Sequence, residues 1–272
     1  MNSLHSPGLA PENQSTISGV AMDKFLVGFV LAFSLMPTGC SRHVENSAKD
    51  SASTLEVDKD EYHSSKIGGD DAELTRGTEQ LKAVDHFEAG IAAYEANDLP
   101  LAHKEFLAAA KEGHADSQYN LALMYEHGIG VDKDGKEAVV WYGKSAELGH
   151  AAAQFNLGVL YENGRGTKVD FEKANEWYRK ASVQGDALAI GNLGMLYVRG
   201  QGVKENKVAG VALLLVSATQ DPSPENHARQ NVTATPGLTS EMIVKAQALA
   251  GELSSAQNLL VPLDQYLKQS EN

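Results

Sequence analysis

Residues 151–166 read AAAQFNLGVLYENGRG, and residues 170–185 read DFEKANEWYRKASVQG. In both segments apolar residues recur at spacings of three and four, which is typical of an amphipathic helix. Gly164 stands where a helix ends in a left-handed residue. Asp170 stands where a helix N-cap is expected, and Gly185 closes the second segment. The two segments therefore predict a pair of antiparallel helices.

This pattern recurs along the chain with a period of 36 residues. Asn156-Leu157 has equivalents 36 residues before it and 36 after it, and so does the pair Gly164-x-Gly166. Other recurring positions are Ala102, Ala138 and Ala174, then Tyr125, Tyr161 and Tyr197, and then Trp141-Tyr142 and Trp177-Tyr178. Because one helical pair cannot bury its apolar face alone, successive pairs must stack. The sequence predicts an all-α fold, a right-handed α/α solenoid (superhelix) of helical hairpins.

The repeated unit has an alanine-rich start, then NLGxxYxxGxG, then a KAxxWYxKA helix that ends in glycine. It resembles the Sel-one-like repeat (SLR) family, a branch of the tetratricopeptide-repeat-like superfamily. The resemblance covers about residues 83–254, with units that begin near 115, 151 and 187. The first unit (87–113) has the shorter inter-helix turn of an ordinary tetratricopeptide unit, and residues 223–253 resemble a degenerate terminal unit. We expect the solenoid to span 79–254 and a C-terminal tail to follow at 255–272.

Residues 208–218 read VAGVALLLVSA and are apolar all round. Such a helix is expected to be covered on both faces. The terminal helix predicted within 238–253 is the obvious cover.

The N-terminal region carries a short apolar run, FLVGFVLAFSLM at 25–36, followed by Thr38-Gly39-Cys40. Twelve residues are too few to span a bilayer, which takes about twenty, but they have the length of a signal-peptide core. The segment 22–40 resembles a bacterial lipoprotein signal peptide, although Pro37 replaces the usual aliphatic residue. The resemblance implies cleavage before Cys40 and lipid attachment to its thiol. The alternatives are an uncleaved N-terminal anchor and an ordinary buried apolar segment.

The flanks of the signal suggest how the chain is organised around it. Residues 1–21 hold no lysine or arginine, so we interpret Met22 as the start and 1–21 as an over-long N-terminus. Residues 41–78 are polar and lack periodicity, which predicts a disordered tether. Ser41 follows the cysteine, and in lipoproteins this permits export to the outer membrane. We expect a lipid-anchored protein of the bacterial cell envelope, at the outer membrane and facing the periplasm, with exposure to the exterior as the alternative.

Composition narrows the range of functions. Acidic residues outnumber basic ones 36 to 23, which argues against nucleic acid as a partner. Cys40 is the one cysteine, and neither CxxC nor HExxH occurs, so no metal, cofactor or catalytic residue is predicted. The Gly-x-Gly pairs recur with the repeat and follow a helix, so we interpret them as structural. His114, His150 and Asp186 share one position and are predicted to cap helices, and Trp141 and Trp177 are predicted to pack between helices.

The sequence therefore favours a non-catalytic protein–protein interaction scaffold or regulator, with a soluble part that is expected to be monomeric. The alternative is an enzyme or accessory of cell-wall metabolism, since some members of the resembled family bind or hydrolyse penicillin. That branch carries a cysteine pair in each repeat. These repeats have no cysteine, and no SxxK motif occurs.

In tetratricopeptide-like solenoids the first helix of each hairpin lines a concave groove. Transferring this residue by residue predicts a partner-binding groove for a protein or peptide, formed by Tyr119, Leu123, Glu126, His127, Phe155, Val159, Glu162, Asn163, Met195, Val198 and Arg199. Its apolar floor and its acids, Glu126 and Glu162, suit an apolar peptide or helix with a basic flank. The alternatives are that these residues form an ordinary solvated face, and that a partner binds the convex side or the 220–237 loop.

Overall fold

The computed structural model describes residues 70–270, with side chains from residue 80 onward. This part of the chain holds eleven α-helices and no strand. The helices are α1 (Asp70–Glu95), α2 (Leu99–Lys111), α3 (Ala115–His127), α4 (Gly135–Glu147), α5 (Ala151–Asn163), α6 (Phe171–Val183), α7 (Ala187–Arg199), α8 (Lys207–Gln220), α9 (Ala228–Ala234), α10 (Ser240–Ser255) and α11 (Leu260–Ser270). None of them is long and apolar enough to cross a membrane. The predicted signal peptide and Cys40 lie outside the described residues.

Helices α1 to α8 form four hairpins, and each hairpin packs against the next. We call α1, α3, α5 and α7 the first helices, and α2, α4, α6 and α8 the second helices. The turn within the first hairpin has three residues (96–98), whereas the turn within the second hairpin has seven (128–134). The shorter turn predicted for the first unit is therefore confirmed, as is the all-α solenoid of helical hairpins. Helix α1 already begins at Asp70, so it includes the last residues of the segment predicted as a tether.

Side-chain caps recur with the same period and set the helix boundaries. The second helices begin after Asp98, Asp134, Asp170 and Asn206, and in each case a side-chain oxygen accepts a backbone N–H of the first turn. Helix α5 ends at Gly164 in the left-handed conformation (φ +67°), as predicted from the sequence. These caps satisfy backbone groups that a helix end leaves without partners.

The second glycine of each Gly-x-Gly pair lies against the preceding hairpin. Gly130 faces the backbone of Leu99, Gly166 that of Gly135, and Gly202 that of Phe171. Each of these partners is the first residue of a second helix. Because a Cβ at any of the three glycines would overlap that backbone, the pairs join successive hairpins at close range. The structural interpretation of these pairs is confirmed.

The apolar helix α8 is covered on more than one side, as its composition predicts. Its residues 208–214 are buried, and it packs against α7 and, beyond the fourth hairpin, against α10. Buried leucines of these helices form one cluster, which includes Leu193, Leu214 and Leu249. The predicted role of the terminal helix as a cover is confirmed.

The structure differs from the sequence prediction at the C-terminus. Residues 255–272 were predicted to be a tail, but Leu260–Ser270 form α11. Leu263 is fully buried, and the guanidinium of Arg179 donates two hydrogen bonds of 2.7 Å to the carboxylate of Asp264. Burial of the leucine and these two charge-assisted hydrogen bonds hold α11 on the solenoid.

Candidate partner-binding face

The predicted groove residues lie on the first helices α3, α5 and α7, at positions that repeat every 36 residues. Leu123, Val159 and Met195 occupy one such position, and all three are half-buried. Tyr119 and Phe155 occupy another and are also half-buried. We call these five residues the apolar floor. The sequence therefore placed them correctly on a partly accessible surface, and their role in binding remains a prediction.

Aromatic contacts fix the two rings of the floor. The ring of Tyr119 stacks on that of His150, with centroids 4.5 Å apart, and lies 5.8 Å from the ring of Tyr142. Phe155 lies 6.0 Å from Tyr178 in the same arrangement. Burial raises the pKa of Tyr119 to about 12, so its hydroxyl is neutral at any physiological pH. The floor is therefore apolar and uncharged.

The two predicted acids of the groove are already engaged by the chain itself. The Tyr142 hydroxyl donates a 2.8 Å hydrogen bond to Glu126, and the Tyr178 hydroxyl donates a 2.6 Å bond to Glu162. Only 15 % of the Glu126 side chain and 18 % of the Glu162 side chain are exposed. Burial is the main cause that raises the pKa of both tyrosines. Both carboxylates therefore have structural partners, which the sequence prediction did not include.

The same two tyrosines also accept a hydrogen bond from the next hairpin. The side-chain amide of Asn156 donates to Tyr142 at 3.3 Å, and that of Asn192 donates to Tyr178 at 3.1 Å. Each tyrosine thus links a glutamate of its own hairpin to an asparagine of the following one. We call the two sets, Glu126–Tyr142–Asn156 and Glu162–Tyr178–Asn192, the polar ladder.

Val198 is the predicted groove residue that the structure places elsewhere. It is only 6 % exposed, because it packs against Gly210 of α8, where the missing Cβ leaves room for it. Continuing the polar ladder by 36 residues gives Val198, Leu214 and Ala228, and all three are buried. From the fourth hairpin into α9, apolar residues therefore replace the polar set at all three positions. The prediction that Val198 contributes to the groove surface is wrong.

The remaining predicted residues, His127, Asn163 and Arg199, are the last residues of their helices and are exposed. His127 Nε2 lies 4.0 Å from Glu126, and the Asn163 amide bonds the Val159 carbonyl of its own helix. Arg199 lies 3.9 Å from Glu162. A further arginine was not predicted from the sequence: Arg165, in the turn after α5, lies 3.3 Å from Glu126.

The histidines at the starts of α3 and α5 act as helix caps, as predicted. Nδ1 of His114 accepts the backbone N–H of Ser117, and Nδ1 of His150 accepts that of Ala153. Desolvation by burial lowers the pKa of both rings. Nδ1 must carry no proton in order to accept, so both rings cap their helices in the neutral form. Among the described residues no group of three His, Cys, Asp or Glu side chains could hold a metal ion.

The two tryptophans pack on the second helices. Trp141 is buried among residues of the second and third hairpins, and Trp177 packs against the same cluster. The ammonium groups of Lys144 and Lys180 lie 3.7 Å from the Trp141 and Trp177 ring centroids, respectively. The predicted packing role is confirmed for both rings.

Residues 115–150, 151–186 and 187–222 each match the Sel1 repeat, and these boundaries coincide with the predicted ones. The fold is similar to the crystal structure of a Sel1 repeat protein from Oxalobacter formigenes. That match has a TM-score of 0.51 and 25% sequence identity, and covers 66% of this chain and 82% of the other. No curated protein matches the chain significantly.

A second solved structure is less similar in fold. It is a protective antigen present in uropathogenic Escherichia coli strains and displays an SLR fold, with a TM-score of 0.42 and 26% identity over 72% of this chain and 50% of that one.

Proposed function

We propose that this chain, which carries three Sel1 repeats, is a non-catalytic interaction scaffold or regulator of the bacterial cell envelope. Its partner, a protein or peptide, binds on the first helices at the apolar floor. One observation carries the proposal. The buried seam position is leucine in every repeat (Leu121, Leu157, Leu193), whereas the half-buried floor position differs between repeats (Leu123, Val159, Met195).

The contrast between these positions has a physical basis. The seam residues are almost fully buried, so packing between hairpins restricts their size and shape. The floor residues remain partly accessible, so their identities are free to match a partner. Tyr119 and Phe155 add large apolar surfaces that contacts with neighbouring rings hold in place, and such preorganised aromatic groups are typical of binding hot spots.

Sel1 repeats are typical of non-catalytic scaffolds that bind proteins. This favours binding over the alternative of an enzyme of cell-wall metabolism. We further propose that Cys40 carries a lipid and that the polar segment after it separates the repeats from the membrane. The anchored protein would then present the apolar floor to partners in the envelope.

The binding site is tested with two matched pairs of substitutions in the full chain. Leu123→Ser with Met195→Ser removes two floor side chains. Val140→Ser with Val169→Ser makes the same kind of change at two exposed positions outside the floor. We expect the floor variant to reduce partner capture from detergent-solubilised envelopes at least tenfold, and the control pair to leave it unchanged. Circular dichroism must show equal helicity, and equal capture by both variants would refute the site.

The anchor is tested separately by metabolic labelling with a palmitate analogue. Wild type should be labelled and should remain in the membrane fraction, whereas Cys40→Ser should be unlabelled and released. Equal labelling and equal retention of both proteins would refute lipidation.

A further inference from the structure

The apolar floor is bordered on its two long sides by groups of opposite charge. Asp116 lies in the first turn of α3, and Asp186 is the N-cap of α7; we call this side the acidic rim. Arg165 lies just after α5, and Arg199 is the last residue of α7; we call this side the arginine rim. The two rims are therefore at opposite ends of the first helices.

A continuous row of contacts crosses the floor from one rim to the other. Asp116 lies 3.4 Å from His150, and His150 stacks on Tyr119. Tyr119 contacts Tyr142, whose hydroxyl donates to Glu126, and Glu126 faces Arg165. The next hairpin repeats the second half of this row through Phe155, Tyr178, Glu162 and Arg199. Both rims therefore border the same surface.

The arginines of the arginine rim have hydrogen-bond donors available to a partner, whereas the nearby Glu126 and Glu162 have little accessible surface. Each glutamate already accepts a tyrosine hydroxyl and is mostly buried, as described above. By contrast, 58 % of the Arg165 side chain and 51 % of the Arg199 side chain are exposed. A guanidinium has five N–H donors, and Arg165 uses only one of them on Glu126. A partner group beside this rim would therefore meet the unused N–H donors of two exposed guanidinium groups, whose charges Glu126 and Glu162 balance.

The acidic rim has the opposite character. More than half of the Asp116 side chain is exposed. Its neighbour His150 caps α5 through an unprotonated Nδ1, so that ring does not neutralise the Asp116 charge. Asp186 belongs to the same side, but its carboxylate accepts the Ala189 N–H as the cap of α7, and burial raises its pKa. Asp116 is therefore the more exposed acid of this rim, and a basic group of a partner is favoured beside it.

The distance between the rims fits the cross-section of a helix. Arg165 lies beside Glu126, which follows Asp116 by ten residues on α3, so the two rims are separated by about 15 Å at 1.5 Å per residue. An α-helix with its side chains is about 10–12 Å wide. A helix lying across α3, α5 and α7 would thus place its apolar stripe on the floor and its charged flanks toward the two rims.

We propose that the partner presents an amphipathic helix whose apolar stripe is flanked by acidic residues on one side and basic residues on the other. The acidic flank pairs with Arg165 and Arg199, and the basic flank pairs with Asp116 and Asp186. This inference rests on the proposed function and names the chemistry of the partner. It replaces the single basic flank that the sequence favoured, because Glu126 and Glu162 are occupied by the polar ladder.

The test uses three synthetic helical peptides of equal length with the same apolar stripe. One has a Glu flank and a Lys flank, the second has two Lys flanks, and the third has two Glu flanks. Their affinities for the full chain in detergent are measured by fluorescence anisotropy at low salt. We expect the Glu/Lys peptide to bind at least tenfold more tightly than either of the others, with a preference that decreases at high salt.

Substitutions in the protein test whether the two rims cause the preference for the Glu/Lys peptide. Arg165→Gln with Arg199→Gln should abolish the advantage of the Glu/Lys peptide over the Lys/Lys peptide. Lys111→Gln with Lys136→Gln removes two exposed charges from second helices and should leave that advantage unchanged. If all three peptides bind equally, and if Leu123→Ser with Met195→Ser abolishes their binding, the charge pattern inferred for the partner is wrong. The floor would then remain a binding site. Failure of all three to bind would overturn the inference and also count against the floor.

Discussion

The backbone of Gly135, the first residue of α4, occupies the space that a side chain on Gly166 would need. Gly166 also has a left-handed backbone (φ +73°). Gly149 also has a positive φ (+93°), but nothing lies within 4 Å of the position that its Cβ would take. The two glycines therefore separate the conformational requirement from the requirement for close packing between hairpins.

We expect Gly149→Ala to lower the free energy of unfolding by about 1–2 kcal/mol, the cost of a left-handed alanine. Gly166→Ala should lower the free energy of unfolding by about 1–3 kcal/mol more than Gly149→Ala does, because the new methyl group must displace the neighbouring hairpin. Urea unfolding monitored by circular dichroism measures both. Equal losses would show that the Gly-x-Gly contact does not hold the hairpins together.

Leu148 is exposed and occupies the position at which the next repeat has Gln184, a residue that makes two side-chain hydrogen bonds. The Gln184 amide donates to Gln154 Oε1 at 2.8 Å and to the Gly149 carbonyl at 2.9 Å. The equivalent of Gln184 is Leu148, and the equivalent of Gln154 is Gln118, whose Oε1 is buried without a partner. We expect Leu148→Gln to stabilise the protein by about 0.5–1.5 kcal/mol and Gln184→Leu to destabilise it by about 1–3 kcal/mol. Thermal melts of both variants check the signs, and a destabilising Leu148→Gln would contradict this equivalence.

The polar ladder predicts a non-additive pair of substitutions. Tyr178→Phe should cost about 1–3 kcal/mol, because it leaves the mostly buried Glu162 carboxylate without its donor. Adding Glu162→Leu should recover part of that loss, since an apolar residue occupies this position in the next hairpin as Val198. A double-mutant cycle by urea unfolding measures the coupling. Additive losses would mean that the hydroxyl and the carboxylate do not act as a pair.

The neutral histidine caps predict a loss of stability in mild acid. Burial lowers the pKa of His114 and His150 below the usual 6.5, although nearby Asp116 opposes this. The unfolded chain therefore binds protons more readily, so this contribution to stability is complete above about pH 6.5 and is lost as the pH falls through the folded-state pKa.

Asparagine caps a helix without titrating, so His114→Asn with His150→Asn should reduce this pH dependence. Urea midpoints at pH 7.5 and pH 5 compare the variant with wild type. An unchanged difference between the two pH values would exclude the two caps as its source.

The repeat made most of the fold predictable, because period and caps are local signals. Asp170, Gly164 and the apolar segment 208–218 all behave as their patterns indicate. Helix α11 was missed since it lies beyond the last repeated position, and its main polar contact joins Asp264 to Arg179, 85 residues away. A local sequence pattern does not indicate a contact between residues that are so far apart in the chain.

The candidate site was predictable only in part for a related reason. Repeat register placed Tyr119 and Phe155 correctly, but it does not reveal which carboxylates are already hydrogen-bonded. A signal was nevertheless present, because glutamate and tyrosine recur together (Glu126 with Tyr142, Glu162 with Tyr178) and are replaced together, by Val198 and Leu214 in the next unit and by Gly90 and Phe106 in the preceding one. Concerted replacement of this kind indicates residues that contact one another.

Site-specific photo-crosslinking in living cells tests most directly whether a partner binds at the apolar floor. A photoreactive phenylalanine analogue is placed in the full chain at Leu123, Val159 or Met195 on the floor, and at Val140, Val169 or Val261 as exposed controls. We expect one adduct of the same mass from all three floor positions and none of that mass from the controls. The same adduct from the control positions, with none from the floor, would contradict this expectation.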